Sequence, residues 1–199
     1  MKLTTACGPA LVLPTFDGVR ELRTARTLLR QWQDSDLEPW VAMNADPAVR
    51  RHFPSVLARD EALAEAGRAR ASLARRGWGS WALEIPGVLP FAGFVGLIVP
   101  AWEAHFTPAV EIGWRLPQAA WGHGYASEAA AAAAAFAFEA LHLDELVAIT
   151  LPANEPSRRV MVRIGMAHDA EGDFAHPRLA ASHPMSRHVL YRLRAPAAA

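Results

Sequence analysis

Apolar and polar positions alternate along Thr27-Leu28-Leu29-Arg30-Gln31-Trp32 as in a half-buried strand. Asp34 or Ser35 then supplies an N-cap for a helix running towards Asn44. A second helix is predicted from Arg59 to Arg76, stopped by Gly77 and Gly79. Ser80 to Ile85 and Phe91 to Val99 read as two strands joined by a turn containing Pro86 and Gly87, an antiparallel hairpin. Ala109 to Leu116 is a fourth strand, followed by a glycine turn and a helix from about His123 to Leu141; Leu146 to Leu151 is a fifth. A helix between successive strands implies local parallel pairing. Asn154 to Ile164 forms a further helix closed by Gly165, and the tail holds a short strand near Ala167, a long polar loop and a last strand from His188 to Leu193. The order predicts an α+β fold with a mixed, mostly antiparallel central sheet flanked by helices.

Length limits this fold to one core. A chain of 199 residues with 52% hydrophobic content fills one domain, taken as residues 25–195, with residues 1–24 as an N-terminal extension that is poorly ordered or pairs at an edge. Twenty basic and twenty acidic residues cancel, and no basic stripe interleaved with aromatics occurs, which argues against nucleic acid as the ligand. Arg50-Arg51 and Arg75-Arg76 read as solvated helix ends. The single cysteine, Cys7, allows no intrachain disulfide, and Gly8, Pro9 and Pro14 interrupt any targeting peptide, so the cytoplasm is the default location. No stretch is long enough to span a bilayer, and no membrane partner is expected. The alanine tract Ala129 to Ala135 is explained by helix propensity and close packing on a sheet.

The most informative chemistry lies in Trp121-Gly122-His123-Gly124-Tyr125-Ala126-Ser127-Glu128, between a strand and that alanine-rich helix. Two glycines one residue apart let several N–H groups converge at the positive end of a helix, as a pyrophosphate requires. Short Gly-x-Gly runs also serve as plain strand-to-helix connections. A dinucleotide fingerprint needs a third Gly or Ala where Ser127 stands and an acid closing the next strand, whereas Asp144 and Glu145 precede it.

Three linked pieces, Glu111-Ile112-Gly113-Trp114-Arg115-Leu116, the glycine turn, and Asn154-Glu155-Pro156-Ser157 through Gly165-Met166, make the chain resemble the GNAT superfamily of acyl-CoA-dependent N-acetyltransferases over Ala25 to Leu193. The pattern is closest to the branch that includes acetyltransferases of ribosomal-protein N-termini. The resemblance implies acetyl-CoA as co-substrate, its pantetheine arm on main-chain groups around Trp114 and Leu116, and its pyrophosphate on the amides of Gly122, His123, Gly124, Tyr125 and Ala126. Trp121 departs from the superfamily's usual Gln or Arg, which removes a polar side chain from the mouth of the cradle but leaves its main chain intact. Asn154 and Ser157 are implied at the cofactor, with Ser157 as proton donor to the thiolate; each also fits an ordinary helix start.

Acetyl transfer needs an unprotonated amine, and at pH 7 an α-amine of pKa ~8 costs ~1.4 kcal/mol to deprotonate against ~4.6 kcal/mol for a lysine. Strand alternation puts Glu111 with Gly113 and Arg115 on the face opposite Ile112, Trp114 and Leu116, so it is either the base or one half of a surface ion pair with Arg115. Asp173, His176 and His183 are the candidate acceptor-binding residues of the polar tail, and His176 or His183 could serve as the base in place of Glu111; loop hydrogen bonding is the alternative for both histidines. Their spacing does not favour a metal site, and none is expected. Arg158, Arg159 and Arg163 suit either a 3′-phosphate or solvent, and Trp102 and Phe106 either a pocket or an interface. The reading is an N-acetyltransferase acting on an amine-bearing acceptor, a protein N-terminus, peptide or small metabolite, as monomer or homodimer. A non-catalytic acyl-CoA-binding sensor or interaction module is the alternative.

Overall fold

The computed structural model of the protein describes residues 11–196; Cys7 and most of the segment weighed as a targeting peptide lie outside them. Eight strands form one sheet in the order β1-β2-β3-β4-β5-β6-β8-β7. They are β1 Leu22–Arg23, β2 Leu28–Arg30, β3 Ser80–Glu84, β4 Phe94–Ile98, β5 Glu111–Arg115, β6 Glu145–Thr150, β7 Ala167–Ala175 and β8 Arg187–Arg194. Every neighbouring pair is antiparallel except β5 and β6, joined through the helix α4, Tyr125–Glu139. The mixed sheet flanked by helices is the architecture the pattern predicts.

The helices α1 Leu37–Ala45, α2 Pro47–Arg50, α3 Arg59–Arg76 and α5 Glu155–Arg163 complete the chain. Trp40, Leu73, Trp78, Trp81 and Ile112 are almost wholly buried, and Ala129, Ala130, Ala133, Ala134 and Ala137 of α4 face the same core. The absence of bulk on Ala129, Ala130, Ala133 and Ala137 lets α4 lie close to β4 and β5.

The edge-pairing alternative fits the described part of the N-terminal extension, and two local readings change. Residues 11–24 are tied to the domain: β1 pairs at the sheet edge, Trp78 Nε1 donates to the Pro14 carbonyl at 2.8 Å, and Trp81 Nε1 donates to that of Arg20 at 2.7 Å. The tail's short strand is the nine-residue β7, held to β8 across an irregularity between Asp169 and Phe174. The polar connection therefore covers only 176–186. Finally, Arg50 is no solvated helix end. It is 8% exposed, its guanidinium lies 4.1 Å from the Phe53 ring centre, and its Nε donates to the Ser55 carbonyl.

Candidate active site

The sheet opens where β5 meets β6. Their register has one pair, Glu111 with Val147, and the Val147 amide donates to the Val110 carbonyl at 3.0 Å. Because that carbonyl points to β6, alternation aims the main-chain groups of Trp114 and Leu116 the same way, beyond the last registered pair. A cavity of about 770 Å³ occupies the divergence, with β5, the glycine turn and α5 among its walls. The groups of Trp114 thus face open space. The Leu116 carbonyl is engaged: Trp121 Nε1 donates to it at 2.8 Å, so the aromatic that replaces a polar residue ties the turn to the end of β5.

Gly122 and Gly124 have φ of 81° and 83°, values that residues with a Cβ rarely adopt. A Cβ on Gly122 would meet nothing within 4 Å, and one on Gly124 would come 3.5 Å from Arg26 Nη2. Gly124 is the N-cap of α4 and no side chain caps that first turn, so its amides retain donors for an anion. A clamp holds the cradle from behind. Arg26 Nη1 donates to the His123 carbonyl at 3.0 Å and its Nε to Glu128 at 2.7 Å, while Thr24 Oγ1 donates to the same carboxylate at 2.6 Å. Gly122, Gly124, Tyr125 and Ala126 line the cavity, whereas the His123 ring lies against that of Tyr125 and outside the lining.

Glu111 lines the cavity at the divergence itself. Burial raises its carboxyl to a pKa of about 7, and among the described residues no side chain pairs with it. The ion pair weighed for it with Arg115 is not formed, because Arg115 Nη1 donates to Asn44 Oδ1 at 2.7 Å and faces Glu65 at 3.3 Å. Across the opening, Asn154 caps α5: its Oδ1 accepts from the Ser157 amide at 3.3 Å, while its Nδ2 donates to Thr150 Oγ1 at 2.8 Å. Asn154 and Ser157 both line the cavity. Capping leaves the Ser157 hydroxyl uncommitted among the described residues.

The tail residues separate. His176 lines the cavity, its ring 4.8 Å from that of Trp102 and 5.0 Å from that of His188. Burial holds both imidazoles below their usual range, so they are neutral at pH 7. Asp173 lies on β7, where Oδ1 accepts from His168 Nε2 at 2.9 Å and from the Leu190 amide at 3.2 Å. His183 accepts from the Met185 amide and stands outside the lining. Sequence reasoning missed His188 and left Trp102 open. Trp102 stacks on Phe174 at 5.8 Å and joins the cavity wall. Among the described residues no three metal-binding side chains cluster, and no helix is long and apolar enough to cross a membrane.

Known proteins resemble this chain in sequence and shape. An acetyltransferase from Agrobacterium tumefaciens superposes with a TM-score of 0.71 at 26% identity, covering 90% of this chain and 97% of that one. Mycobacterium smegmatis RimJ in complex with CoA-disulfide superposes at 0.65 with 21% identity, covering 89% and 87%. The N-acetyltransferase YnaD of Bacillus subtilis is 29% identical over 150 residues, 74% of this chain and 83% of that protein. FsC-acetyl coenzyme A-N(2)-transacetylase of Aspergillus fumigatus is 33% identical over 99 residues, 44% of this chain and 42% of that longer protein. The family model for the acetyltransferase (GNAT) domain matches residues 26–167, which takes in the glycine turn, β5 and α5 together, and the chain belongs to the GNAT family of acetyltransferases.

Proposed function

We propose that this acetyltransferase moves the acetyl group of acetyl-CoA to a primary amine by direct attack on the thioester, with Glu111 as general base. The observation that carries this reading is the Glu111 carboxyl, without a side-chain partner among the described residues and raised to about 7, standing at the divergence of β5 and β6 in the cavity that also holds the anion cradle. A base titrating near the working pH is deprotonated often enough to act and basic enough to accept a proton.

The fit to acetyl-CoA rests on the chain's own groups. Uncapped amides from Gly122 to Ala126 suit a pyrophosphate, and the main chain of Trp114 suits an amide-bearing arm. Acetyl-CoA supplies a thioester whose carbonyl carbon gains a C–N bond as its C–S bond breaks. Glu111 takes the proton that the amine nitrogen must lose, directly or through one water. Ser157 gives its hydroxyl proton towards the departing sulfur and regains one from solvent. Trp102, His176 and His188 wall the acceptor side, where two neutral imidazoles offer hydrogen bonds without repelling an approaching ammonium.

Thiol release from acetyl-CoA in the presence of a mixed panel of peptides and small amines tests the proposal. Amine-dependent release is the expected result. Binding of acetyl-CoA with no release for any amine would favour a non-catalytic module instead.

A further inference from the structure

The acceptor side of the cavity carries cationic groups that the proposed chemistry does not use. Arg115, on the same face of β5 as Glu111, lines the cavity with its side chain nine-tenths buried and its Nε–H without an acceptor among the described residues. Its carboxylate partner, Glu65, sits at 3.3 and 3.5 Å, a loose pairing for a buried guanidinium. Arg50 is buried nearby, and the two guanidinium carbons lie 4.1 and 4.6 Å from the Phe53 ring centre. Burial first, and the charge of Arg115 after it, push Arg50 down to about 10 against the opposing pull of Glu65 and Glu61, so the two guanidinium groups feel each other's charge. Arg51, exposed, stands apart from them at the cavity rim, its guanidinium carbon 5.7 Å from the Trp121 ring centre.

We infer that this pair is an oxyanion subsite for the acceptor: the amine accepted at Glu111 belongs to a molecule that also carries a carboxylate or phosphate, held by Arg115 with Arg50 behind it. The strand geometry supports the pairing. Glu111 and Arg115 are four residues apart, roughly 13 Å along β5. Gly113 between them presents no side chain, and a Cβ there would meet only Ile98 Cδ1 at 3.6 Å. The floor between base and cation is therefore open, long enough for an acceptor whose two charged ends are separated by several bonds. A buried cation with a loosely held partner also discriminates strongly, because an acceptor lacking the anion leaves it under-satisfied.

This inference rests on the acetyltransferase reading, and the test separates the two. Wild-type enzyme is assayed with matched amines: the C-terminal amide of seryl-glutamate against that of seryl-glutamine, and aminoethyl phosphate against aminoethanol. The expected result is a kcat/KM at least about tenfold higher for the anionic member of one pair, the favoured pair telling carboxylate from phosphate. In Arg115→Met that ratio should fall to within about twofold, with the acetyl-CoA KM unchanged. Glu65→Gln, which removes the competing carboxylate, should raise it and keeps the test alive if Arg115→Met does not fold. Turnover of amines with no preference for the anion overturns this inference alone. A weakened acetyl-CoA KM in Arg115→Met with an unchanged ratio assigns the pair to the co-substrate and overturns it too. Failure of every amine defeats the acetyltransferase reading and the subsite with it.

Discussion

Replacing Glu111 by Gln should stabilise the protein while nearly abolishing turnover. Burial raises the carboxyl from its ordinary 4.5 to about 7. A raised folded-state pKa means the protonated form is favoured on folding, so the stability it contributes is complete below about 4.5 and lost as pH rises through about 7. At about 1.4 kcal/mol for each pH unit, that gap amounts to about 3 kcal/mol. Gln keeps the shape of the protonated acid and never ionises. Wild type and Glu111→Gln should therefore melt together near pH 4.5, diverge from there to pH 7, and differ by a constant amount above it. For a domain of this size the plateau is roughly 6–12 °C in favour of the variant. Calorimetric melting of the unliganded proteins across that range reads the difference directly. Activity should move the other way, falling by about 10²- to 10⁴-fold, with the wild-type kcat/KM rising along a limb near pH 7. Melting curves that coincide at every pH would mean that the carboxylate is solvated, and the reasoning from burial to base would fail.

Gly124→Val puts a β-branched side chain at a φ of 83° and against Arg26; calorimetry should show acetyl-CoA affinity falling at least about tenfold in a variant whose circular dichroism is unchanged. Ser157→Ala should lower kcat more than it raises the acetyl-CoA KM, because proton donation to sulfur matters in the transition state; full activity would return Ser157 to its place in the first turn of α5. His176→Ala should cut turnover of the best amine by about tenfold with acetyl-CoA affinity held within about threefold, whereas His183→Ala, outside the cavity lining, should leave both unchanged. Equal losses in the two histidine variants, measured by steady-state kinetics, would contradict that division.

What the sequence made legible was local. Gly122, Gly124 and Asn154 announce their geometry because positive φ and helix capping are properties of single residues, and the position of Glu111 follows from strand alternation. The length of β7 was hidden because Asp169, Glu171, Gly172 and Asp173 read as loop residues; the ladder to β8 overrides them, and Arg192 Nε donates to Asp169 Oδ2 at 2.7 Å across it. Nothing near Arg30 in the sequence announces that Asp36 receives it in a buried pair at 2.8 and 3.0 Å. The same blindness to long-range partners explains Arg115. Glu111, four residues away on the same face of the strand, was the natural candidate, yet Asn44 from α1 and Glu65 from α3 take the guanidinium once the helices pack. His188 escaped because a histidine at a strand start carries no sign of the cavity it will face.

The most direct test of the central claim is to follow one accepted amine by mass spectrometry while thiol release is counted in the same reaction, for wild type and Glu111→Gln. The account predicts one acetylated amine for each CoA released in the wild type, and loss of both together in the variant while acetyl-CoA still binds. CoA release without an acetylated amine, or equal rates in the two proteins, would contradict it.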